Sequence, residues 1–451
     1  MKKIYTIYLG VVFILFNSCS KEWLEKKQNI KLIVPTTLND LDLLLNVSTF
    51  EDDGRGSTEN STDEADYTVA QFNALPFPFQ RNLSTWTVKE FEQLGNSQNE
   101  WNIAYSQIQV CNVTLAGLDK IDRTENNKIL YDRIKGTALY HRSRQFLNLA
   151  MTFCKYYEVA NARNEMGIPL KLTDDLDERI YRSTLEETYQ RIVQDLTISA
   201  SILPIEKISQ THIAKGGAYA LLARTLLYMD NFQGAKNAAD SSYLYHNYIE
   251  DYNYLNSSSS RPLRIESKEM HIPLSPVMAV GYATVGRINQ DLYNSYNDSD
   301  LRKLLFFKKE ADGRYSFKGH YRSALFSGTS TPEVLLIGAE CRARLGDNRG
   351  AINLLNTLLS KRFKTGQFIP YSVVTSNETL DIILSERRKE LLTRCLRWQD
   401  LKRLNRDPRY AKTITRTIGD KTYTLFSDDP RYILPIPQFI INFNGLTQNA
   451  Q

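Results

Sequence analysis

The acidic tetrapeptide Asp63-Glu64-Ala65-Asp66 spells a helicase signature. In helicases this motif works together with a Gly-rich loop and a lysine that hold the nucleotide phosphates. The sequence before residue 63 contains no such loop. We therefore interpret residues 63–66 as a solvated acidic loop and not as a nucleotide site.

The other chemistry-bearing side chains do not form a recognised catalytic pattern. The sequence has no GxSxG elbow and no GxGxxG motif. Paired carboxylates are harder to exclude, because a glycosidase needs only two of them at no fixed spacing. Acidic pairs such as Asp52-Asp53 are typical of solvated loops, so an exported glycosidase stays open as an alternative. None of the five histidines lies in an HExxH motif or at another metal-ligand spacing: His141, His212, His246, His271 and His320.

The densest charged stretch runs from Glu386 to Arg403. Its acidic and basic residues interleave, and Glu386 and Glu390 are four residues apart. A helix that binds nucleic acid would present a basic face without interleaved acids. We therefore predict a structural helix with internal salt bridges, and we place Trp398 on its buried side.

The composition is that of a globular protein with a large core. The 451 residues are 42% hydrophobic and 24% charged, and the formal net charge of +5 is too small to indicate a nucleic-acid partner. The 26 tyrosines suit either sugar-binding surfaces or an aromatic core. Four cysteines beyond the first thirty residues lie in helical patterns without metal-ligand spacing, which predicts buried free thiols: Cys111, Cys154, Cys341 and Cys395.

The amino terminus reads as an export signal. Lys2 and Lys3 precede an apolar run that ends at Phe16, and this run is shorter than the roughly 20 residues needed to span a bilayer. The residues up to Cys19 resemble the lipobox of bacterial lipoproteins, although Phe16 stands where that motif prefers leucine. The resemblance implies a signal peptide at residues 1–18, acylation of the Cys19 thiol and a lipidated tether at residues 19–34.

Two later segments have the pattern of tetratricopeptide helix pairs. Residues 216–229 and 334–345 are small-residue helices, each followed by a tight Asp/Gly turn and a helix that begins with alanine, Ala235 or Ala351. The copies lie 116 residues apart, so they are not a simple tandem array. A capping box, Ser183 with Glu186, predicts the start of another helix. These patterns predict a predominantly all-α fold with tetratricopeptide-like pairs.

Two stretches lack this helical periodicity. Residues 246–330 contain a serine run and many glycines and prolines, and residues 51–86 are acidic and then aromatic. Long irregular segments on a rigid frame are common places for binding sites. We predict a helical region at 35–245, a loop-rich insert at 246–330 and a carboxy-terminal region at 331–451.

The carboxy-terminal motifs resemble the SusD/RagB family of outer-membrane lipoproteins. Glu386–Leu391 and Arg397–Arg403 are similar to the closing helix of that family, and Tyr432–Pro437 and Leu446–Asn449 are similar to its ending. The likeness continues upstream over nearly the whole chain, in Trp101, Tyr105, Ile108 and Asn112, then in Gly167–Leu170, Arg182–Thr184 and the Gly346 turn. Ser143 and Thr393–Cys395 depart from the family pattern.

The resemblance implies a nutrient-capture protein without catalysis or an obligatory organic cofactor. It implies a surface-exposed, lipid-anchored protein of the outer membrane that delivers a ligand, mostly a glycan, to a TonB-dependent (SusC-like) transporter. The helical frame would pack against the transporter, and the protein would act as a hinged lid. Peptides and glycopeptides remain open as ligands. A tetratricopeptide-type envelope scaffold that binds no nutrient is the main alternative.

A sugar site needs an aromatic face and polar groups that bind hydroxyls. Trp86 is the first candidate because it lies in a polar stretch beside Arg81 and Asn82. The alternative is that Trp86 anchors its loop in the core. The full set of ligand-binding candidates is Asp66, Tyr67, Arg81, Asn82, Trp86, Tyr282 and Tyr321.

Overall fold

The computed structural model describes residues 35–53, 55–88, 99–264, 266–277, 285–321 and 325–450. The chain is about 48% helical with few short strands, which confirms the predicted all-α class. The predicted signal peptide, Cys19 and the tether lie outside the described residues, as does Tyr282. The proposed boundaries at 245 and 330 stay predictions.

Helices account for most of the regular structure. Within the described ranges they are α1 (Leu38–Leu45), α2 (Gly56–Glu59), α3 (Val69–Asn73), α4 (Pro78–Ser84), α5 (Glu100–Leu118), α6 (Lys128–Phe153), α7 (Leu185–Ile202), α8 (Lys215–Tyr228), α9 (Phe232–Tyr245), α10 (Gln290–Asn294), α11 (Leu301–Leu305), α12 (Thr331–Arg344), α13 (Asn348–Leu359), α14 (Ser376–Glu390), α15 (Arg397–Leu404) and α16 (Gln438–Asn444).

The strands are short and form two-stranded pairs. They are β1 (Asp52–Asp53), β2 (Ala65–Asp66), β3 (Met166–Pro169), β4 (Arg182–Thr184), β5 (Ser275–Pro276), β6 (Arg287–Ile288), β7 (Phe307–Lys309), β8 (Tyr315–Phe317), β9 (Ile414–Ile418) and β10 (Lys421–Leu425). Among these, β1 pairs with β5 in parallel, and β2–β6, β3–β4, β7–β8 and β9–β10 are antiparallel.

Helices α5 to α9 and α12 to α14 form a continuous scaffold. Each of α5 to α9 packs on the next, α9 then packs on α12, and α12 contacts α13 and α14. The two predicted helix pairs, α8–α9 and α12–α13, are therefore confirmed and lie side by side despite their separation in sequence. Small residues permit this contact: a Cβ added at Gly338 would lie 3.8 Å from the Ala239 Cβ.

The start of α7 differs from the prediction by one residue. Thr184, not Ser183, is the N-cap: its hydroxyl accepts the Glu187 N–H at 3.1 Å, and the Glu187 carboxylate accepts the Thr184 N–H at 2.8 Å. The Ser183 hydroxyl instead donates to the Ile168 carbonyl at 2.8 Å. The sequence permits two capping boxes, Ser183 with Glu186 or Thr184 with Glu187. The second one forms because the Ser183 hydroxyl, on strand β4, is bonded to β3.

The carboxy-terminal residues complete α6. The last carbonyls of a helix lack intrahelical partners. Here the Met151 carbonyl accepts from Gln399 Nε2 at 2.6 Å and Lys402 Nζ at 3.0 Å, and the Phe153 carbonyl accepts from Asn449 Nδ2 at 2.8 Å. This gives a physical reason for the Gln448-Asn449 ending.

The charged stretch at 386–403 is not one helix. The chain leaves α14 after Glu390 and enters α15 at Arg397, and Thr393 and Cys395 between them have φ values of 63° and 56°. Left-handed backbone at two residues ends the helix, so the prediction of a single helix is wrong. The predicted internal salt bridges are present, for example from Arg387 to Asp400 at 2.9 Å.

The apolar core follows the scaffold helices. Helix α6 is buried around its whole circumference over its second half, and Trp398 is fully buried, as predicted. All four predicted thiols are buried and unpaired: Cys111, Cys154, Cys341 and Cys395. In the described part of the chain, no helix has the length and apolar character to cross a membrane.

The two irregular segments of the sequence come together in one loop-rich part. Strands β1 and β2 of the first segment pair with β5 and β6 of the second. Their shared core is largely aromatic and contains Tyr67, Tyr252, Tyr296, Phe306, Phe307, Phe317, Tyr321 and Phe326. Many of the aromatic residues of the sequence therefore form a buried core in this part.

Candidate ligand-binding surface

Trp86 is an anchor of the first irregular segment. Its side chain is 3% exposed, and its indole Nε1 donates to the Ser61 carbonyl at 2.9 Å. Its backbone has a φ of 55°, in the left-handed region that non-glycine residues rarely adopt. Of the two roles left open for Trp86, burial favours loop anchoring over direct ligand contact.

Both described tyrosine candidates are buried. Burial raises the pKa of Tyr67 to about 12. The Tyr321 hydroxyl donates to Glu269 at 3.1 Å and accepts from Arg394 Nη2 at 3.1 Å. Direct ligand contact by either tyrosine stays a prediction, and it would require these side chains to become more exposed.

Arg81 and Asn82 lie on α4 and are half-buried. The Arg81 Nη1 donates to the Leu75 carbonyl at 2.5 Å, which ties α4 to the turn before it. The Asn82 carbonyl accepts the Thr87 N–H at 2.9 Å. Both residues help to shape the Trp86 turn, and ligand contact by their side chains stays a prediction.

Asp66 is the candidate that the structure places among exposed polar groups. Its side chain is 43% exposed. Strand β2 pairs Asp66 with Arg287 of β6, and β6 packs beside β8. We call the surface formed here the Asp66 surface, and its members are Asp66, Arg287, Asn289, Tyr293, Asp312, Arg314 and Tyr315.

Charged groups of the Asp66 surface pair across chain segments. The Asp66 Oδ2 atom accepts from Asn289 Nδ2 at 3.3 Å and from Arg314 Nη2 at 3.4 Å. The Asp312 Oδ2 atom accepts from Arg287 Nε at 3.0 Å. Both Asp66 contacts use one oxygen and are long, so a ligand hydroxyl can compete for this carboxylate.

Asp312 is fixed by the turn of the β7–β8 hairpin. Its Oδ1 atom accepts the Arg314 N–H at 3.0 Å, and Gly313 between them has a φ of 80°. This backbone bond, with the nearby Arg287 guanidinium, lowers the pKa of Asp312. The carboxylate therefore stays ionised and acts as a hydrogen-bond acceptor.

Two tyrosines form the aromatic component. The Tyr293 and Tyr315 rings stack with centroids 3.6 Å apart and planes 13° apart, and the Lys303 ammonium lies 5.2 Å from the Tyr293 centroid. Asn289 positions this pair because it caps α10, where its side chain accepts the Leu292 N–H at 3.2 Å. Desolvation and the hydrogen bond to Tyr315 raise the pKa of Tyr293.

Sequence reasoning missed six of the seven members of this surface. The available signal was the Asp-Gly turn at residues 312–313 with aromatic residues on both sides, Phe307 before it and Tyr315 after it, which is typical of a hairpin. The pairing of this hairpin with residue 66 had no local signal. No group of histidine, cysteine and acidic side chains in the described ranges is arranged to hold a metal ion.

The Asp63-Glu64 motif is not the solvated loop that the sequence suggested. The Asp63 carboxylate accepts from Arg397 Nε at 2.7 Å, Arg388 Nη2 at 3.1 Å and Lys412 Nζ at 2.6 Å. Burial opposes its ionisation, but Arg397 and Arg388 hold the pKa of Asp63 well below its usual value. Asp63 is therefore the buried counterion of three cations from the carboxy-terminal region.

Two clefts lie beside the scaffold. One, of about 640 Å³, is lined by charges that pair with each other, such as Lys155 with Glu165 at 2.8 Å. The other, of about 660 Å³, lies between α5 and α16, and Leu176 at its edge is 81% exposed. The Asp66 surface differs from both because it combines stacked aromatic rings with competing acceptors and donors, as sugar recognition requires.

Comparisons with known proteins agree with this architecture. Residues 22–227 match a SusD-like family model described as "Starch-binding associating with outer membrane", and residues 331–451 match the model of the SusD family. Together the two models match more than two thirds of the chain. None of the curated proteins matches the sequence.

Solved structures share the fold at low sequence identity. A SusD superfamily protein from Bacteroides thetaiotaomicron is 21% identical with a TM-score of 0.72, over 92% of this chain and 100% of its own. A SusD-like carbohydrate binding protein from Bacteroides vulgatus is 18% identical with a TM-score of 0.68, over 91% and 97%. A SusD superfamily protein from Parabacteroides distasonis is 15% identical with a TM-score of 0.70, over 93% and 100%.

Proposed function

Because the chain belongs to the SusD/RagB family, we propose that it captures a glycan on the Asp66 surface. The observation that carries the proposal is the meeting of two distant irregular segments at Asp66, beside stacked tyrosines. Tyr315 and Tyr293 supply aromatic ring surface for the apolar face of a sugar, and Asp66 and Arg314 supply an acceptor and donors for hydroxyls.

The second part of the proposal concerns delivery. The protein hands its ligand to a TonB-dependent outer-membrane transporter of the SusC type and acts as a hinged lid over it. Acylated Cys19 anchors the chain at the cell surface through the tether at residues 19–34. Support comes from the family, from the outer-membrane association in the description of its model and from the lipobox-like sequence.

Glycan binding is tested first with the purified mature protein on an array of neutral and acidic oligosaccharides, and then by calorimetry with the best ligand. We expect Asp66→Asn and Tyr315→Ala each to weaken binding about 10-fold, because each removes a contact worth about 1.4 kcal/mol. Asp407→Asn is the matched control, since Asp407 is a partly exposed acid of the carboxy-terminal region whose carboxylate pairs with Arg409 at 3.0 Å. Unchanged affinity in both Asp66 and Tyr315 variants would remove the Asp66 surface as the site.

Delivery is tested separately in cells of the source organism. We expect affinity-tagged protein to co-purify with a large outer-membrane barrel, and Cys19→Ala to move the protein from the membrane to the soluble fraction. Mass spectrometry of the mature amino terminus identifies the acyl chains. An unmodified Cys19, or purification without any barrel, would contradict this part of the proposal.

One observation favours the second candidate, an envelope scaffold without nutrient binding. The cleft between α5 and α16 is edged by the exposed Leu176, and Phe443 of α16 is also exposed, as expected for a protein contact. The array separates the two functions, because a pure scaffold binds no glycan. An exported glycosidase would release reducing sugar from a bound glycan.

A further inference from the structure

Arg416 is a buried arginine that binds backbone instead of acids. It lies on the inner face of β9, opposite Tyr423 of β10, and is buried. Its guanidinium donates to the carbonyls of Thr62 at 2.6 Å, Ala65 at 3.2 Å and Ser84. These carbonyls lie next to Asp66 and Trp86 in the first irregular segment, where Ala65 is on β2 and Ser84 ends α4.

The surroundings of Arg416 are aromatic. The guanidinium carbon lies 5.5 Å from the Tyr67 ring centroid and 5.1 Å from the Trp86 ring centroid. Among the described residues, no carboxylate lies within 4.0 Å of this side chain, whereas most other buried arginines have such a partner. Burial lowers the pKa of Arg416, as expected for a cation without a counterion.

The turns that Arg416 holds cannot satisfy their own backbone. Ser84 is the last residue of α4, whose final carbonyls have no intrahelical partner, and Arg416 also serves the Thr62 and Ala65 carbonyls. Unsatisfied buried carbonyls destabilise a fold. The Trp86 turn also has left-handed backbone at Trp86, and Arg431 of the carboxy-terminal region donates to the Trp86 carbonyl at 3.2 Å. A planar guanidinium presents five N–H donors in a fixed fork and can reach carbonyls of separate segments, whereas a lysine offers a single nitrogen.

We propose that Arg416 is a positioning residue for ligand binding: through the Ala65 and Thr62 carbonyls it fixes the backbone that presents Asp66. The inference rests on the proposed function of the Asp66 surface. It gives the carboxy-terminal β9–β10 hairpin a part in the ligand site, although the hairpin is distant from the site in sequence. Holding Asp66 in its bound arrangement before the ligand arrives lowers the entropy cost of binding.

The test compares Arg416→Lys with Arg142→Lys in the full mature protein. Arg142 is a buried scaffold arginine bonded to Asp195 of α7 at 2.8 Å and to Asn112 of α5 at 3.0 Å. In the absence of glycan, we expect Arg416→Lys to speed amide hydrogen exchange at residues 62–67 and 84–87, with the exchange of α6 and α12 unchanged. With the best array ligand, we expect its affinity to fall about 10-fold while Arg142→Lys binds as wild type.

Two outcomes with the ligand would overturn the inference. Wild-type affinity in Arg416→Lys would exclude a part in ligand binding, and if exchange is faster in that variant the role of Arg416 is structural alone. In wild-type protein, glycan should slow exchange at residues 62–67 and 414–418 together, and protection at 62–67 alone would also exclude positioning by β9. This last measurement needs no variant, so it decides the matter even if Arg416→Lys fails to fold.

Failure of the proposed function looks different. A wild-type protein that binds no glycan on the array or by calorimetry refutes glycan capture. The ligand-free exchange comparison still tests whether Arg416 holds residues 62–67, and unchanged exchange there would overturn the inference independently.

Discussion

The helical scaffold and the loop-rich part satisfy their buried backbone hydrogen-bonding groups in different ways. In the scaffold, helices satisfy their own backbone groups, so facing surfaces such as α9 and α12 can be built from alanine, glycine and leucine. The loop-rich part has strands of two or three residues and little self-pairing. Its buried carbonyls are served by long cationic side chains, as at Glu250, whose carbonyl accepts from Arg362 at 2.7 Å.

Those cations need counterions, and the resulting ion pairs run between the loop-rich part and the scaffold. Arg302 of the loop-rich part bonds to Asp300 and also to Glu386 and Glu390 of α14, at 2.6 Å and 3.1 Å. Arg362, just after α13, binds Glu390 at 2.9 Å and Glu269 at 2.7 Å. The comparison teaches that apolar packing orders the scaffold, whereas a buried ionic network attaches the ligand-bearing part to it.

The largest effect should follow from breaking this network. We expect Arg302→Met to lower the free energy of unfolding by about 3–5 kcal/mol, because it leaves three buried carboxylates without their shared cation. Urea denaturation followed by circular dichroism measures the change. Arg123→Met is the control: its partner is Asp132, its side chain is 49% exposed, and we expect a loss below about 1 kcal/mol. A loss as small in Arg302→Met would mean that the network does not attach the two parts.

A cavity in the scaffold should have a somewhat smaller effect and a different character. We expect Leu336→Ala, in the fully buried centre of α12, to cost about 2–4 kcal/mol through lost apolar burial and a residual cavity. Glycan affinity should remain that of the wild type, since the Asp66 surface does not depend on this packing. Leu345→Ala, at the exposed end of the same helix, should cost less than about 1 kcal/mol. Reduced glycan affinity in Leu336→Ala would contradict the expectation that ligand binding does not depend on scaffold packing.

The smallest expected effect is a pH dependence of the free energy of unfolding that is due to Glu100. Burial raises the pKa of Glu100, at the start of α5, from 4.5 to about 8, although its carboxylate accepts the Ser57 N–H at 2.6 Å. Between these values the unfolded chain has released a proton that the folded protein keeps, so stability falls as pH rises. We expect Glu100→Gln to gain about 1 kcal/mol or more over wild type from pH 5 to pH 8, measured by urea denaturation.

Glu340 of the scaffold provides the opposite control. Burial opposes its ionisation, but Arg403 and Arg344 lower the pKa of Glu340 to about 2. Its stabilising effect is complete above pH 4.5 and is lost as pH falls towards 2, so the deficit of Glu340→Gln should be constant between pH 5 and pH 8. A constant difference for Glu100→Gln over the same range would contradict its raised pKa.

The scaffold was predictable because its signals are local. The spacing that begins at Ala235 and Ala351 lies within single helices, and both helix pairs are where the pattern put them. The capping box was displaced by one residue because two adjacent hydroxyls and two adjacent carboxylates satisfy the same motif. The helix break at Thr393 had no marker, since neither glycine nor proline lies there.

The ligand-bearing part was much less predictable because its contacts are distant in sequence. Asp66 meets Asn289 and Arg314 across 223 and 248 residues, through strands too short to show alternation. Asp63 was assigned to solvent because its partners lie 325 residues or more away. Of the proposed ligand residues that the structure describes, Asp66 lies on the exposed polar surface, and the burial of Trp86 favours the loop-anchor alternative that the sequence left open.

The capping of α6 by residues 399–449 has a consequence for biosynthesis. The Met151 carbonyl accepts hydrogen bonds from Gln399 and Lys402, which lie 248 and 251 residues later in the chain. The Phe153 carbonyl accepts from Asn449, which lies 296 residues later. A ribosome delivers the chain from its amino terminus, so α6 emerges long before the groups that finish it. We expect the central helix to stay incompletely packed until the last segment is made, which keeps the nascent chain open.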